Sequence, residues 1–268
     1  MTLSVVISAY ANAQALDLTL QGYALQKVLP DEVIVAEDSE TPDIAAVVGR
    51  HRATAPFPLL HLTQEDRGFR KCAILNAAIR QSTADFLVFT DADCVPRNDV
   101  VATFRRLARP GRFVSAGSHV NLPPEVHQRP GTAARLADQA LFDPVWLQQQ
   151  QVHTPALRLL TSPRLAHWLD CLSPRQAFVG NLSGAWRSDL LRVKGFDEAM
   201  GYGGEDTNLG VRLINAGVRG FRARHALVCL HLDHPRPWRV NEEALANKRW
   251  NRSIAGSATV LPRQSALL

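Results

Sequence analysis

In Phe86-Leu87-Val88-Phe89-Thr90-Asp91-Ala92-Asp93 an apolar run stops at two carboxylates set one residue apart. A short unbroken apolar run reads as a strand buried on both faces, the habit of parallel sheets with helices packed on each side. The pattern recurs upstream: residues 3–8 and 32–36 read as two more such strands, and 59–63 as a short third. Between them, 13–28 places Ala15, Leu18 and Leu25 at helical spacing, until Pro30-Asp31 breaks the pattern. Thr41-Pro42-Asp43 opens a second helix with proline in its first turn, 71–81 reads as a third and 99–107 as a fourth. This alternation means an α/β fold with a mainly parallel sheet and right-handed crossovers. Ligands on such sheets sit at the carboxyl ends of the strands. The polar residues to watch are therefore Ser8-Ala9-Tyr10, Glu37-Asp38, Gln64-Glu65-Asp66 and Asp91-Ala92-Asp93.

The middle of the chain is different. Residues 120–175 carry proline pairs, a glutamine run at 148–151 and two apolar helical stretches, 133–147 and 157–172, the second broken at Pro163. They read as a helical insertion packed on the sheet. Residues 178–186 resume extended structure, 207–216 form a helix ended by Gly217, and 226–232 form a strand. The Arg-, Asn- and Pro-rich tail after Pro235 reads as part helix, part flexible.

Composition narrows the function classes. At 268 residues, 46% hydrophobic and 21% charged, the chain is neither disordered nor a disulfide-built mini-protein. Cys72, Cys94, Cys171 and Cys229 lie far apart with no CxxC spacing, so they read as reduced, mostly buried thiols. No apolar run approaches the roughly 18 residues that cross a bilayer, and the first eight residues lack the basic flank of a signal peptide; the expected location is the cytoplasm. The net charge of +5 is carried mostly by arginine, which suits a phosphate-bearing ligand or an anionic membrane surface. No basic stripe is interleaved with aromatics, which speaks against nucleic acid.

Four constellations can carry chemistry. Asp91 and Asp93, at i and i+2 in extended chain, point the same way and suit a hard divalent cation, Mg²⁺ or Mn²⁺, that also takes diphosphate oxygens. Taken alone, an Asp-x-Asp is more often a solvated turn. Glu37-Asp38 follows the second strand, where a carboxylate can accept from a base or ribose or can simply decorate the next helix. Gly203-Gly204-Glu205-Asp206 precedes a helix whose dipole is expected to keep the acids ionised, as a general base requires; an N-cap aspartate after a glycine turn is the plain alternative. His231-Leu232-Asp233-His234 ends a strand, but histidines at i and i+3 are poorly placed to share a metal in extended chain, and lone histidines are usually structural.

Together these segments resemble glycosyltransferase family 2, with the GT-A fold, over most of the chain. The opening strand with its Tyr is Ser4-Val5-Val6-Ile7-Ser8-Ala9-Tyr10-Ala11-Asn12. The second hallmark is Glu32-Val33-Ile34-Val35-Ala36-Glu37-Asp38-Ser39-Glu40, with Glu at the first acid and the family's Gly-Ser lost. The helix Arg70 to Asn76 and the Asp-x-Asp strand follow in order. Gly180-Asn181-Leu182-Ser183, Gly195-Phe196-Asp197-Glu198, Gly201-Tyr202-Gly203-Gly204-Glu205-Asp206 and His231 to Pro235 resemble the carboxyl half of galactosyltransferases and bacterial chondroitin-type polymerases. Tyr202 stands where those carry Trp.

The resemblance implies roles. Ser8, Tyr10 and Asp38 would cradle the uridine of a UDP-sugar, with Asp66 and Lys71 near ribose and diphosphate. Asp91 would touch ribose, or metal through water. Asp93 would bind Mn²⁺ or Mg²⁺ directly, with His231 or His234 completing the shell, His231 being nearer the strand end. Asp206 would be the general base and Glu205 would orient a sugar. One displacement would invert the anomeric centre and move a hexose or N-acetylhexosamine to a saccharide or glycolipid acceptor. Residues 1–119 would form the nucleotide-sugar-binding half, 120–175 the insertion, shaping the acceptor side, and 176–268 the acceptor-binding and catalytic half, all in one GT-A domain. The basic charge and the apolar insertion would suit peripheral association with the inner face of a bacterial membrane. A sugar nucleotidyltransferase would need a glycine-rich loop after the first strand, and Ser8 to Asn12 contains no glycine. A catalytically inactive binding module would be expected to have lost Asp93 or Asp206, and both are present.

Overall fold

Val5 and Ile7 of β1 (Leu3–Ala9) pack into one core and Val6 into a second, and all three are fully buried. Both faces of this strand are therefore covered, as its unbroken apolar run requires. The structure, a computed structural model, describes residues 1–117, 119–154, 159, 162–173, 177–234 and 242–267. β1 pairs in parallel with β2 (Glu32–Glu37) and β4 (Phe86–Asp91), and β2 with β3 (Leu59–Thr63). The crossover helices are α1 (Ala13–Ala24), α2 (Pro42–Arg52) and α3 (Lys71–Gln81). After β4 come β5 (Cys94–Pro96), α4 (Val100–Leu107), β6 (Arg112–Ser115) and β7 (Val120–Leu122). With β8 (Leu182–Trp186) and β9 (Arg219–Arg222) the main sheet has seven strands in the order β3-β2-β1-β4-β8-β6-β9. β8 runs antiparallel to β4 and β6, and the remaining pairs are parallel. This is the GT-A architecture that the family resemblance implies.

A second sheet of three strands, β5-β10-β7, brings β10 (Cys229–Leu232) antiparallel to β5 and parallel to β7. The insertion therefore begins with a strand. It continues through α5 (Pro124–His127), α6 (Thr132–Ala137), a 3-10 turn at Ala140–Phe142 and α7 (Pro144–Gln149). The single helix expected over 133–147 is thus two short ones. Asp143 caps the second through Val145 and Trp146 N–H, and Pro144 fits its first turn. The insertion's core, with Leu122, Val126, Leu136, Leu141 and Leu147, is shared with α1 and the small sheet, not the large one. α8 (Pro163–Cys171) starts where the proline predicts, with Ser162 as N-cap; most of 155–161 lies outside the described residues. β8 occupies only the last part of the extended stretch expected over 178–186.

The carboxyl half continues with α9 (Arg187–Arg192), α10 (Glu205–Asn215) and α11 (Glu242–Ile254). α10 begins two residues before the expected Thr207, so Glu205 and Asp206 are its first turn. Gly203 and Gly204 hold φ of 99° and 96°, a left-handed pair that an L side chain adopts only with strain. α11 closes over this turn: Asn251 Nδ2 donates to Gly204 O at 2.8 Å and Asn208 Nδ2 donates to Asn251 Oδ1 at 2.9 Å. The end of the tail is docked rather than loose. Arg263 Nε donates to Asp197 Oδ2 at 2.9 Å, Ala266 N–H donates to Glu198 Oε1 at 3.0 Å, and Leu267 is buried in the second core. The Asp and Glu of Gly195-Phe196-Asp197-Glu198 are thereby occupied by the tail.

Gly210 on α10 faces Phe178 so closely that an added Cβ would lie 2.7 Å from Phe178 Cβ and 3.1 Å from its N. Gly210→Ala is expected to destabilise the protein by about 1–3 kcal/mol despite the ~1 kcal/mol helical advantage of alanine, because the neighbour is partly backbone and cannot step aside. Urea unfolding of the two proteins checks the sign.

Candidate active site

The registers of β1 set the site. Ser8 stands opposite Asp91 of β4, and Ala9 opposite Glu37 of β2, so the polar residues after these apolar runs emerge along one edge. On the outer side, Tyr10 O–H donates to Asp66 Oδ2 at 3.1 Å. Asp38 accepts from Gln64 Nε2 at 2.5 Å and from Arg70 N–H at 2.7 Å. Burial still raises the Asp38 carboxyl above its ordinary value, more than these bonds lower it. Glu37 has turned inward. It is fully buried, accepts from Ser39, Thr41 and the Thr41 N–H, and pairs with His61 at 2.7 Å. Of the two acids, Glu37 fastens the start of α2 and Asp38 faces the edge.

Asp91 and Asp93 take different partners, although a carboxylate oxygen of each lies within 4.8 Å of the other and of Cys94 Sγ. β4 ends at Asp91, and the chain turns through Ala92-Asp93 before β5. Asp91 Oδ1 accepts from Lys71 Nζ at 2.6 Å. Asp93 Oδ2 lies 3.3 Å from His231 Nε2 and 3.0 Å from His234 Nε2. The histidines do converge, against the extended-chain argument: β10 stops at Leu232, and His234 just beyond it reaches the same Asp93 oxygen as His231. Leu232 N–H donates to Asp93 O at 2.8 Å, Asp233 N–H donates to Leu122 O at 2.9 Å, and His127 Nε2 sits 3.1 Å from Asp233 O. The insertion, expected to shape the acceptor side, thus supports this strand end. Burial pushes the Asp93 carboxyl up, but the two imidazoles outweigh it and hold it well below the carboxylate range. One ligand atom from each of Asp93, His231 and His234 lies within 4.8 Å of the others. A carboxylate and two imidazoles converging at a strand end fit one divalent cation with positions left for other oxygens. Cys94 Sγ stands 3.4 Å from Asp93 Oδ1, a thiol that the spacing of the cysteines did not connect to this centre.

Across the edge, Ser8, Lys71, Asp91, Gly180, Glu205 and Asp206 line a cavity between the two halves of the chain. Lys71 is near three acids: bonded to Asp91, 3.9 Å from Glu205 Oε1, and close to Asp206. Burial pulls its ammonium pKa down, and the three carboxylates outweigh that and hold it above its usual value. Asp206 Oδ2 accepts the Gly180 N–H at 2.6 Å and Oδ1 accepts the Thr207 N–H at 2.7 Å. The helix dipole was expected to dominate at Asp206. Instead burial dominates and raises its pKa, with the two N–H groups and Lys71 pulling back. Burial likewise pushes Glu205 up to about 7, with Asp206 and Asp91 adding to it and Lys71 opposing.

Ser8, Lys71, Asp91, Glu205 and Asp206 therefore come together, Asp93 gathers His231 and His234, and Tyr10, Asp38 and Asp66 lie along the outer edge. Tyr202 meets Phe69 edge-on, ring centroids 5.7 Å apart, joining the two halves through aromatics. His119 carries no motif; its ring lies 4.9 Å from that of His231. Its one signal in the sequence is a histidine immediately before the strand that pairs with β10.

Comparison with known proteins gives two family matches: glycosyl transferase family 2 over residues 4–138, and the galactosyltransferase domain described as N-terminal over residues 165–235. The chondroitin synthase of Escherichia coli is 26% identical over 255 residues, covering 87% of this chain and 35% of that protein. The chain thus spans about a third of that relative's length. Among solved structures, GalNAc-T7 with UDP, GalNAc and Mn²⁺ superposes with a TM-score of 0.62 at 12% identity, over 94% of this chain and 48% of that one. A mannosyltransferase from Pyrobaculum calidifontis in complex with GDP-Man and Mn²⁺ gives 0.58 at 23% identity, over 88% and 58%.

The raised Glu205 has a consequence for stability. Between its ordinary value of 4.5 and about 7 the unfolded chain loses this proton while the folded one keeps it, so folding weakens as pH rises through that window and stays weakened above it. Glu205→Gln removes the penalty. Its stability relative to wild type should rise by ~1–3 kcal/mol between pH 4.5 and pH 8 in paired urea titrations. A pH-independent difference would contradict the assignment.

Proposed function

The chain belongs to glycosyl transferase family 2, whose model matches residues 4–138 of its 268, and from that premise we propose that it moves a hexose or N-acetylhexosamine from a UDP-sugar to a saccharide acceptor with inversion. The observation that carries this reading is that Asp91 links two acid groups: its carboxylate lies within 4.8 Å of Asp93, which gathers the histidines, and Lys71 ties it to Glu205 in the cavity that Asp206 also lines. The choice of UDP follows the resemblance of residues 195–206 to galactosyltransferases, within the stretch that matches a galactosyltransferase domain. In this reading residues 1–119 hold the donor and 176–268 hold the acceptor and the base, with 120–175 as the insertion between them.

Asp93, His231 and His234 would hold the metal, and two imidazoles favour Mn²⁺ over the oxygen-seeking Mg²⁺. A bound Mn²⁺ supplies positive charge for the departing nucleoside diphosphate. Ser8, Tyr10 and Asp38 would seat the uridine, with Asp66 beside them. Lys71, a fixed cation beside Asp91, would favour phosphate oxygens at the inner end of the cavity, and its charge opposes the rise that burial imposes on the Asp206 carboxyl. Asp206 would accept the acceptor hydroxyl's proton; Thr207 bonds its Oδ1 through both N–H and hydroxyl, while Oδ2 accepts the Gly180 N–H and keeps a lone pair for that proton. Glu205 would orient a sugar hydroxyl.

Nucleoside-diphosphate release with Mn²⁺ over UDP-, GDP- and dTDP-sugars identifies the donor. On that donor with an oligosaccharide acceptor, Asp206→Asn should lower transfer by roughly two to four orders of magnitude while UDP binding by calorimetry is unchanged. Asp93→Ala should lose both transfer and Mn²⁺-supported UDP binding. An active Asp206→Asn enzyme leaves that residue as a helix cap, since asparagine caps as well as aspartate.

The acceptor reading extends to lipid-linked saccharides at a membrane surface. Among the described residues no helix is long and apolar enough to cross a membrane. Leu165, Trp168 and Leu172, at i, i+3 and i+7 along and just past α8, are exposed on a basic chain, as a peripheral contact requires. The protein is expected to float with vesicles containing anionic lipid at low salt and to be released at high salt. No binding at low salt would remove this part of the reading.

A further inference from the structure

His119 lies in the connection from β6 to β7, outside every motif of the chain. Its ring is tilted 36° to that of His231 with centroids 4.9 Å apart, and His231 in turn stacks on His234 at 5.7 Å and 27°. Three imidazoles thus form a row that ends on Asp93. His119 is also held from its far side: its Nδ1 lies 3.2 Å from Asn181 Nδ2, which makes the amide the donor and Nδ1 the acceptor. Asn181 is itself fixed, because its backbone O accepts the Thr90 hydroxyl at 2.9 Å, one residue before Asp91. The chain of contacts from Thr90 through Asn181 and His119 to His231 therefore joins the end of β4 to the histidine turn by a second route, independent of β5.

A metal-binding imidazole depends on the groups around it for its orientation, and losing such a group typically weakens metal affinity 10- to 100-fold. We propose that His119 is a positioning residue for the cation centre: through its ring against His231, and anchored by Asn181, it fixes the orientation in which His231 meets the metal beside Asp93. This rests on the reading of Asp93, His231 and His234 as the metal-holding group.

The test reads the metal directly, without nucleotide or acceptor. Free Mn²⁺ is measured by electron paramagnetic resonance during titration of the full chain, and each apo-protein is melted in EDTA. His119→Ala should raise the Kd for Mn²⁺ about 10- to 100-fold with an unchanged apo melting temperature. His119→Phe keeps a ring against His231 and loses the bond to Asn181; its Kd should fall between the two, and it decides the matter if the alanine variant does not fold. A Kd within twofold of wild type in a folded variant overturns the inference and leaves the metal site standing. A weakened Kd matched by a lowered apo melting temperature overturns it in favour of a purely structural role. A wild-type chain that takes up no Mn²⁺, where Asp93→Ala changes nothing, overturns the metal reading itself and the inference with it.

Discussion

Ser8 and Asp91 stand side by side because β1 and β4 are both buried on both faces and therefore run out at the same level. Inside the sheet no polar side chain is welcome without a partner, and beyond it the backbone turns and the polar residues gather. That common edge is the constraint on which the site depends. It puts Ser8 and Asp91 in the lining of the cavity, with Asp38 and Asp93 just beyond the ends of the neighbouring strands β2 and β4. It also explains why Glu37, one residue earlier than Asp38, is sealed inward and spent on the start of α2: alternate residues of a strand face opposite sides.

The second half of the chain reaches the same edge by other means. β8 inserts antiparallel between β4 and β6, so Gly180 and Asn181, just before it, arrive beside Thr90 and Asp91. α10 then delivers Glu205 and Asp206 from a left-handed glycine turn that α11 covers. The G-F-D-E turn is set by a buried arginine: Arg212 donates to Val193 O at 2.8 Å and to Gly195 O at 2.5 Å, and burial lowers its pKa to about 10. Acids brought this close in a water-poor cavity need a cation, and Lys71 on α3 provides it from the opposite half. The two halves are thus joined electrostatically where Lys71 meets Asp91 and Glu205.

The group of Asp93, His231 and His234 has a different origin. Asp93 comes from a turn after the large sheet, and the histidines from the small one. The register that sets His231 opposite Cys94 and Asn121 fixes their separation. The insertion contributes a strand to that sheet and, through His127, a contact to the turn between His231 and His234. A segment that looks accessory in sequence is therefore part of what shapes the site.

Much of this was legible in the residues. Unbroken apolar runs gave the parallel strands, proline and glycine gave most helix limits, and the strand-end rule picked out Ser8, Asp38, Asp91 and Asp93, since periodicity and turn chemistry are local properties. The order of motifs added the family. What local patterns could not supply were distances between segments far apart in the chain. The spacing of His231 and His234 argues against a shared metal, yet beyond the end of β10 both rings reach Asp93 Oδ2. The helix dipole suggested a lowered pKa at Asp206 until burial proved the larger effect. Lys71 among three carboxylates, and His119 against His231, left no trace in any spacing. Those pairings are separated by tens to more than a hundred positions, and only the packing of two sheets and their helices brings them within reach.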